Sequence, residues 1–212
     1  MNSSYYNMIH HTYPLLPHNK SRLLARLGNC PTTLKGAFCE SLSAAVRSFP
    51  SPNGPQFDQQ SIRNAANLVA ESQFDNVTSR SLSTNLVYLQ TMLLLAIQAG
   101  NYAPNSRGQA SPSRSFWLGS ALGFAHTMKL HLHRPPDKAT ENDPDSDEKL
   151  ARRIWWTLVI MDRWHASSTA SPLMIPDESV VVYPDDQALL GDTVYHLARK
   201  PLWSRSVCVY AY

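Results

Sequence analysis

The stretch Ser83–Gly100 reads STNLVYLQTMLLLAIQAG and is the most apolar part of the chain. Apolar residues recur in it at three- and four-residue steps, the spacing of one face of an α-helix: Leu86, Leu89, Leu93 and Ile97. Three more widen that face most of the way round: Val87, Leu94 and Leu95. A helix of this kind belongs at the centre of a bundle. If C-terminal helices are missing from this chain, we expect part of it to be exposed to water.

Periodic apolar patterns predict further helices on both sides of the central one. They cover Lys20–Leu27, Thr33–Phe49, Gln59–Phe74, Ser115–Leu130 and Glu148–Ser167, and Asp192–Trp203 begins another. Val180–Val182 forms either a short strand or a loop that lies along the helices. Runs rich in proline, glycine and serine at residues 49–55 and 103–114 predict loops. The sequence therefore predicts an all-α protein, an irregular multi-helix bundle with an extended C-terminal tail.

Composition and charge narrow the class of protein. The 212 residues fit one ordinary domain, and 43% hydrophobic against 17% charged residues supports a packed core. A formal net charge of +3 is too small to predict a nucleic-acid-binding surface. Cys30, Cys39 and Cys208 are too few and too widely spaced for a disulfide framework or a cysteine zinc site. Because no secretory signal is visible and Leu86–Ala99 is shorter than the ~20 residues of a membrane span, we expect an intracellular protein without a membrane partner.

The helix predicted over Glu148–Ser167 has the clearest start signal in the chain. Asp145 or Ser146 can cap its first turn, where acidic side chains are favoured by the helix dipole. Glu148 lies four residues before Arg152, so the two side chains can pair on the helix surface.

Several sequence motifs of metal and catalytic sites are present only in part. Asp143, Asp145 and Asp147 match the first ligands of a calcium loop, but its glycine and its closing acid are absent, which favours a solvated acidic helix start. His131 and His133 would place two imidazoles near a metal in an extended chain, but no third ligand is evident and a structural or solvent role is favoured. No nucleophile is set beside a base and an orienting group. The residues therefore predict no catalytic, cofactor or metal site.

Three segments carry a recognisable order of motifs. Residues 117–131 read WLGSALGFAHTMKLH, residues 148–163 read EKLARRIWWTLVIMDR, and residues 171–177 read SPLMIPD. The order is a helix ending in a Leu-Gly-Leu-His-like sequence, an acidic residue, Arg-Arg, Trp-Trp, Asp-Arg and a turn before proline. In this order and spacing the chain resembles the fungal-specific transcription factor domain, the middle homology region of fungal zinc-cluster regulators. The resemblance covers residues 80–185, and its motif residues are His131, Glu148, Arg152, Arg153, Trp155, Trp156, Asp162, Arg163 and Pro172.

The resemblance implies a non-catalytic regulatory domain that acts in the nucleus. It divides the chain into an irregular N-terminal segment (1–32), the helical regulatory domain, incomplete at its C-terminus (33–203), and a tail unlike the family (204–212). The family binds DNA through a zinc cluster of six closely spaced cysteines, so zinc and DNA would belong to a module that this chain lacks. A homodimer, a heterodimer with related regulators, and a small-molecule effector are the other partners implied. Residues 11–17 (HTYPLLP) and 45–50 (AVRSFP) resemble regulators of sugar-transporter genes most.

The motif residues also have a physical interpretation without the family. Arg152 and Arg153 point about 100° apart around a helix, so one can reach an acid across the bundle while the other faces water. Of the two tryptophans, one packs inward and the other covers a neighbouring element. Asp162 and Arg163 can tether the extended segment that follows. We favour this architectural role over a regulatory pocket lined by Trp156, Asp162 and Arg163.

Two positions depart from the family pattern. Lys129 stands where the family usually has glycine, and Ala170-Ser171 precedes Pro172 where Gly-Arg is common. A role carried over from that turn does not transfer directly to this chain.

Two other functions remain open from the sequence. The chain can be a truncated module that binds no DNA and pairs with a full-length regulator. It can also be a small-molecule enzyme, which the lack of converging polar groups disfavours.

Overall fold

The computed structural model describes residues 3–49, 59–73, 80–101, 112–132, 143–183 and 186–190. The helices are α1 (Ser3–Met8), α2 (Lys20–Gly28), α3 (Thr32–Arg47), α4 (Gln59–Gln73), α5 (Leu82–Asn101), α6 (Arg114–Thr127), α7 (Asp147–Thr169) and α8 (Asp186–Leu190). Short 3-10 turns lie at Leu130–Leu132 and Asp177–Ser179. These residues contain no β-strand, so the all-α prediction is confirmed and Val180–Val182 is a loop. The helix predicted at Asp192–Trp203 and the tail at 204–212 lie outside the described residues.

The centre of the bundle is α5, as the sequence predicts. Every residue from Thr84 to Gln98 is buried, and α5 contacts α2, α3, α4, α6 and α7. By length and mean hydropathy α5 alone among the described helices would suit a membrane span, but 83% of that stretch is buried inside the fold. The expectation that part of this helix would be exposed to solvent is wrong for the described residues, because neighbouring elements cover it from Thr84 to Gln98.

The N-terminal segment (residues 3–16) packs into the core of the bundle and includes a helix. Residues 3–8 form α1, which the sequence did not predict, and Tyr5, Ile9, Leu15 and Leu16 are fully buried. The Tyr5 hydroxyl donates to the Tyr13 carbonyl at 2.7 Å and accepts from the Leu15 amide at 3.1 Å. Burial raises the pKa of Tyr5, so this hydroxyl stays neutral. The side-chain amide of Gln90 on α5 donates to the Leu15 carbonyl at 2.6 Å and ties the segment to the central helix.

The two glycines of α6 face solvent. Their spacing of four residues predicts that another backbone packs closely against Gly119 and Gly123. This prediction is wrong, because both are exposed and a Cβ on either would meet no atom within 4 Å. The inward face of α6 is instead formed by Trp117, Leu118 and Ala121.

Two helix ends place a residue other than glycine in the left-handed region of the backbone. Lys129 follows α6 with φ 56°, and Ala170 caps α7 with φ 52°. These are the two positions where the family usually has glycine or a glycine-containing turn. Left-handed backbone costs an L-residue with a Cβ roughly 1–2 kcal/mol, and glycine avoids that cost.

We therefore expect Lys129→Gly and Ala170→Gly each to raise the free energy of unfolding by about 1 kcal/mol. Ala70→Gly, at an exposed position inside α4, is the matched control and should lower it by about 0.5–1 kcal/mol, because glycine loses more backbone entropy in a helix. Urea unfolding followed by circular dichroism measures all three. Destabilisation by all three substitutions would show that neither helix end is strained.

Candidate functional site

The site is the face of α7 that carries the family motif. Arg152 and Arg153 lie on its second turn and are both buried, with 1% and 0% of their surface exposed. The prediction that one of them faces water is wrong. Because adjacent residues point about 100° apart, the two guanidinium groups reach different parts of the chain.

Arg153 belongs to a cluster centred on the buried Asp145, which we call the Asp145 cluster: Asp145, Arg153, His18 and Asn19. The Asp145 carboxylate accepts the backbone amides of His18 and Asn19, both at 2.8 Å, and Arg153 Nη2 at 3.1 Å. Burial alone would raise the pKa of Asp145, but these hydrogen bonds and the Arg153 charge together hold it below its usual value. His18 Nδ1 lies between the two charged groups, 2.6 Å from Arg153 Nη1 and 3.2 Å from a carboxylate oxygen of Asp145.

The acids on either side of Asp145 are also paired with arginines of α2. Asp143 accepts Arg22 Nη2 at 2.7 Å, and Asp147 accepts Arg26 Nη2 at 2.6 Å. The same Arg26 nitrogen lies 2.6 Å from the Asp145 carbonyl. The prediction of a solvated acidic helix start is therefore wrong, since Asp145 is 3% exposed and all three acids hold the N-terminal segment against α7. Ser146 caps α7, as one of the two predicted alternatives, by accepting the Lys149 amide.

Arg152 binds the last described segment of the chain. Its Nε and Nη2 donate to the two oxygens of Asp186 at 2.7 and 2.6 Å, and Nη2 also donates to the Val181 carbonyl. The guanidinium lies 5.4 Å from the Trp156 ring centre and 4.8 Å from that of Tyr183. The predicted pairing of Arg152 with Glu148 is wrong. Arg152 Nε and Nη2 instead bind the two carboxylate oxygens of Asp186, and such a buried bidentate pair is stronger than a pair on the exposed helix surface.

Asp162 and Arg163 hold the extended segment after α7. The Asp162 carboxylate accepts the amides of Met174 at 3.1 Å and Ile175 at 3.0 Å. Arg163 donates to the Ile175 carbonyl at 2.7 Å and to Asp162 at 2.9 Å. The predicted tether is therefore confirmed. Pro172 is exposed in the short connection between α7 and this segment.

Trp155 lies inside the bundle beside two histidines. It is fully buried, and its ring centre lies 6.0 Å from those of His126 and His131. Trp156 is also buried and lies against the Arg152 guanidinium of the same helix. The inward packing predicted for one tryptophan is confirmed, and the covering of a neighbouring element by the other stays a prediction. His133 lies outside the described residues.

The geometry of these groups favours an architectural role. Both oxygens of Asp162 accept hydrogen bonds from the chain itself, and the Asp186 carboxylate is occupied by Arg152 and the Tyr183 amide. A regulatory pocket lined by Trp156, Asp162 and Arg163 stays a prediction. Sequence reasoning missed His18 and Asp186 altogether, and only the alternation of acids before α7 could have pointed to the importance of Asp145.

The comparisons with known proteins agree with the motif order. The profile of the family described as the fungal specific transcription factor domain matches residues 3–193. An uncharacterized transcriptional regulatory protein of Schizosaccharomyces pombe is 36% identical over 203 residues, which cover 93% of this chain and 23% of that protein. A Zn(2)-C6 fungal-type transcription factor of Fusarium oxysporum f. sp. lycopersici is 26% identical over 184 residues, covering 83% of this chain and 18% of that protein. Cutinase transcription factor 1 beta of Fusarium vanettenii is 40% identical over 62 residues, 29% of this chain and 7% of that protein.

The chain spans less than a quarter of the length of these three relatives. No solved structure matches it significantly.

Proposed function

Since the chain belongs to the fungal specific transcription factor domain family, we propose that it is the regulatory middle domain of a transcription regulator that acts in the nucleus. The observation that supports this most is the match over residues 3–193, which includes the whole buried arginine face of α7. Its relatives are transcriptional regulators, so the domain's task is to control a protein that binds DNA rather than to catalyse a reaction. The interaction-module alternative is not favoured, and the likeness to sugar-transporter regulators is not confirmed.

DNA binding and zinc belong, in this proposal, to parts of the regulator outside this chain. The Fusarium relative is named a Zn(2)-C6 factor, and this chain covers 18% of it. Cys30 and Cys39, the cysteines among the described residues, each have a pKa raised by burial, so their thiols stay protonated and are poor zinc ligands. The DNA sequence that is recognised would follow from those other parts.

Two measurements on the full chain test the proposal. In a mobility-shift assay the purified chain should bind no DNA with sequence selectivity at physiological salt, since it carries a net charge of only +3. Fused to an unrelated DNA-binding domain, it should change reporter transcription relative to that domain alone. A fused Asp145→Asn chain, in which the Asp145 cluster is broken, is the control that should lose this effect. Tight, selective DNA binding by the chain alone, or a reporter indifferent to the fusion, would contradict the proposal.

A further inference from the structure

Two histidines come together at the end of α6. His126 lies in the last turn of that helix, and His131 lies in the 3-10 turn that follows. Lys129 between them has φ 56°, which reverses the chain and brings the second imidazole back to the first. The ring centres lie 5.0 Å apart with an angle of 81° between the ring planes.

This separation is the one that a shared metal ion requires. Zinc–imidazole bonds of about 2.0–2.1 Å and a tetrahedral angle put two ring centres about 5 Å apart. Rings that merely pack can have the same spacing, so the availability of their nitrogens decides what the pair can do.

The nitrogens of this pair are available for a ligand. His131 Nδ1 is buried and has no hydrogen-bond partner, while His126 is exposed at the surface and accessible to ions. The Trp155 ring closes the inner side of the pair, and its Nε1 is also buried without a partner.

We propose that His126 and His131 form a binding site for a divalent transition-metal ion of the kind that imidazole prefers, namely copper, nickel or zinc. Water would complete the coordination. The ion would hold the reversed turn at Lys129 against the end of α6. Because Trp155 of α7 lies beside both histidines, the ion would also fix this turn relative to the buried face of α7. This site is separate from any zinc cluster of the DNA-binding module.

The chain contains its own control for this geometry. The rings of His10 and His18 are also close, at 5.1 Å and 84°. There, however, His18 Nδ1 lies 2.6 Å from Arg153 Nη1 and 3.2 Å from an Asp145 carboxylate oxygen. The two pairs have similar ring spacing but differ in that His18 Nδ1 is engaged by other side chains, whereas His131 Nδ1 has no hydrogen-bond partner.

Isothermal titration of the full chain with zinc chloride tests the site. We expect one ion to bind per chain, with affinity falling at least about tenfold in His126→Ala, which removes an exposed ligand without opening the core. His10→Gln should bind zinc as the wild type does. A copper titration should quench tryptophan fluorescence with the same stoichiometry, because Trp155 lies 6.0 Å from both rings.

Three results would overturn the proposal: no saturable binding, unchanged affinity in His126→Ala, or equal losses in His126→Ala and His10→Gln. Circular dichroism of each variant shows whether it is folded, so that unfolding is not mistaken for the loss of a metal-binding histidine. Bound zinc should also raise the midpoint of thermal unfolding of the wild type and not that of His126→Ala, because an ion that binds only the folded state stabilises it.

Discussion

Replacing Asp145 with asparagine should lower the free energy of unfolding by about 3–5 kcal/mol, the range for removing one partner of a buried ion pair. The change leaves Arg153, which is fully buried, without the carboxylate that compensates its charge. It also weakens the acceptor for the His18 and Asn19 amides, so the N-terminal segment loses part of its attachment to α7. Chemical denaturation followed by tryptophan fluorescence measures the loss.

Asp143→Asn is the matched control, because it changes the same residue type in the same segment with the same type of partner. The Arg22–Asp143 pair is exposed, with 55% and 34% of the side-chain surfaces accessible, so its loss should cost less than about 1 kcal/mol. Equal effects of the two substitutions would mean that burial of the Asp145 cluster does not matter to stability.

The effect of Asp145→Asn should also depend on pH. The folded-state pKa of Asp145 is lowered, so its contribution to stability is full above the unfolded pKa of about 3.9 and is lost as the pH falls through the folded value. The difference in unfolding free energy between wild type and variant should therefore be largest near neutral pH and shrink in acid. A difference that stays constant from pH 7 down to strongly acidic conditions would contradict this electrostatic origin.

Replacing Asp186 with asparagine should lower the free energy of unfolding by about 3 kcal/mol. Arg152 is 1% exposed and both of its bonds to Asp186 are shorter than 2.8 Å, so the variant leaves a buried guanidinium without its counter-charge. Because α8 contacts α7, we also expect this part of the chain to be cut faster by proteases. Limited proteolysis beside chemical denaturation separates local release from global unfolding.

Two further variants identify the cause. Asp177→Asn removes an acid that pairs with Arg163 but is 51% exposed, and it should cost less than about 1 kcal/mol. Arg152→Met combined with Asp186→Leu should recover at least about half of the loss, since an apolar pair leaves no buried charge. A double variant as unstable as Asp186→Asn would show that hydrogen bonds to the segment, rather than the charge of Arg152, determine its stability.

Much of the fold follows from local pattern. The apolar spacing in Ser83–Gly100 predicts the central helix, and the structure buries its residues from Thr84 to Gln98. The apolar spacing of Leu150, Ile154, Leu158 and Met161 likewise predicts α7, and the structure buries all four. Helix periodicity is a local property, so it can be read without knowing which elements touch. The exceptions are α1 and α8, which are six and five residues long, too short for a periodic pattern to stand out.

The candidate site was predicted as a set of residues but not as a set of contacts. The motif order placed Arg152, Arg153, Asp162 and Arg163 correctly, and the tether made by Asp162 could be inferred because its partners lie only 12 and 13 residues away. The pairing of Arg152 with Glu148 followed the helix-surface rule and failed, because that rule assumes an exposed helix face and this one is covered by the segment that carries Asp186.

The sequence by itself determined the helical class, the central position of α5 and the family, because each depends on residues close together in the chain. The tertiary structure alone decided which acid each buried arginine binds. Arg26 and Asp147 lie 121 residues apart, and Arg152 and Asp186 lie 34 apart, so no local spacing connects them. Arg153 and Asp145 are only 8 residues apart, but Asp145 precedes the helix and helix-surface spacing does not pair them. A buried charge must find a partner wherever the fold brings one within reach, and only the packing of α7 against both ends of the chain specifies which partner that is.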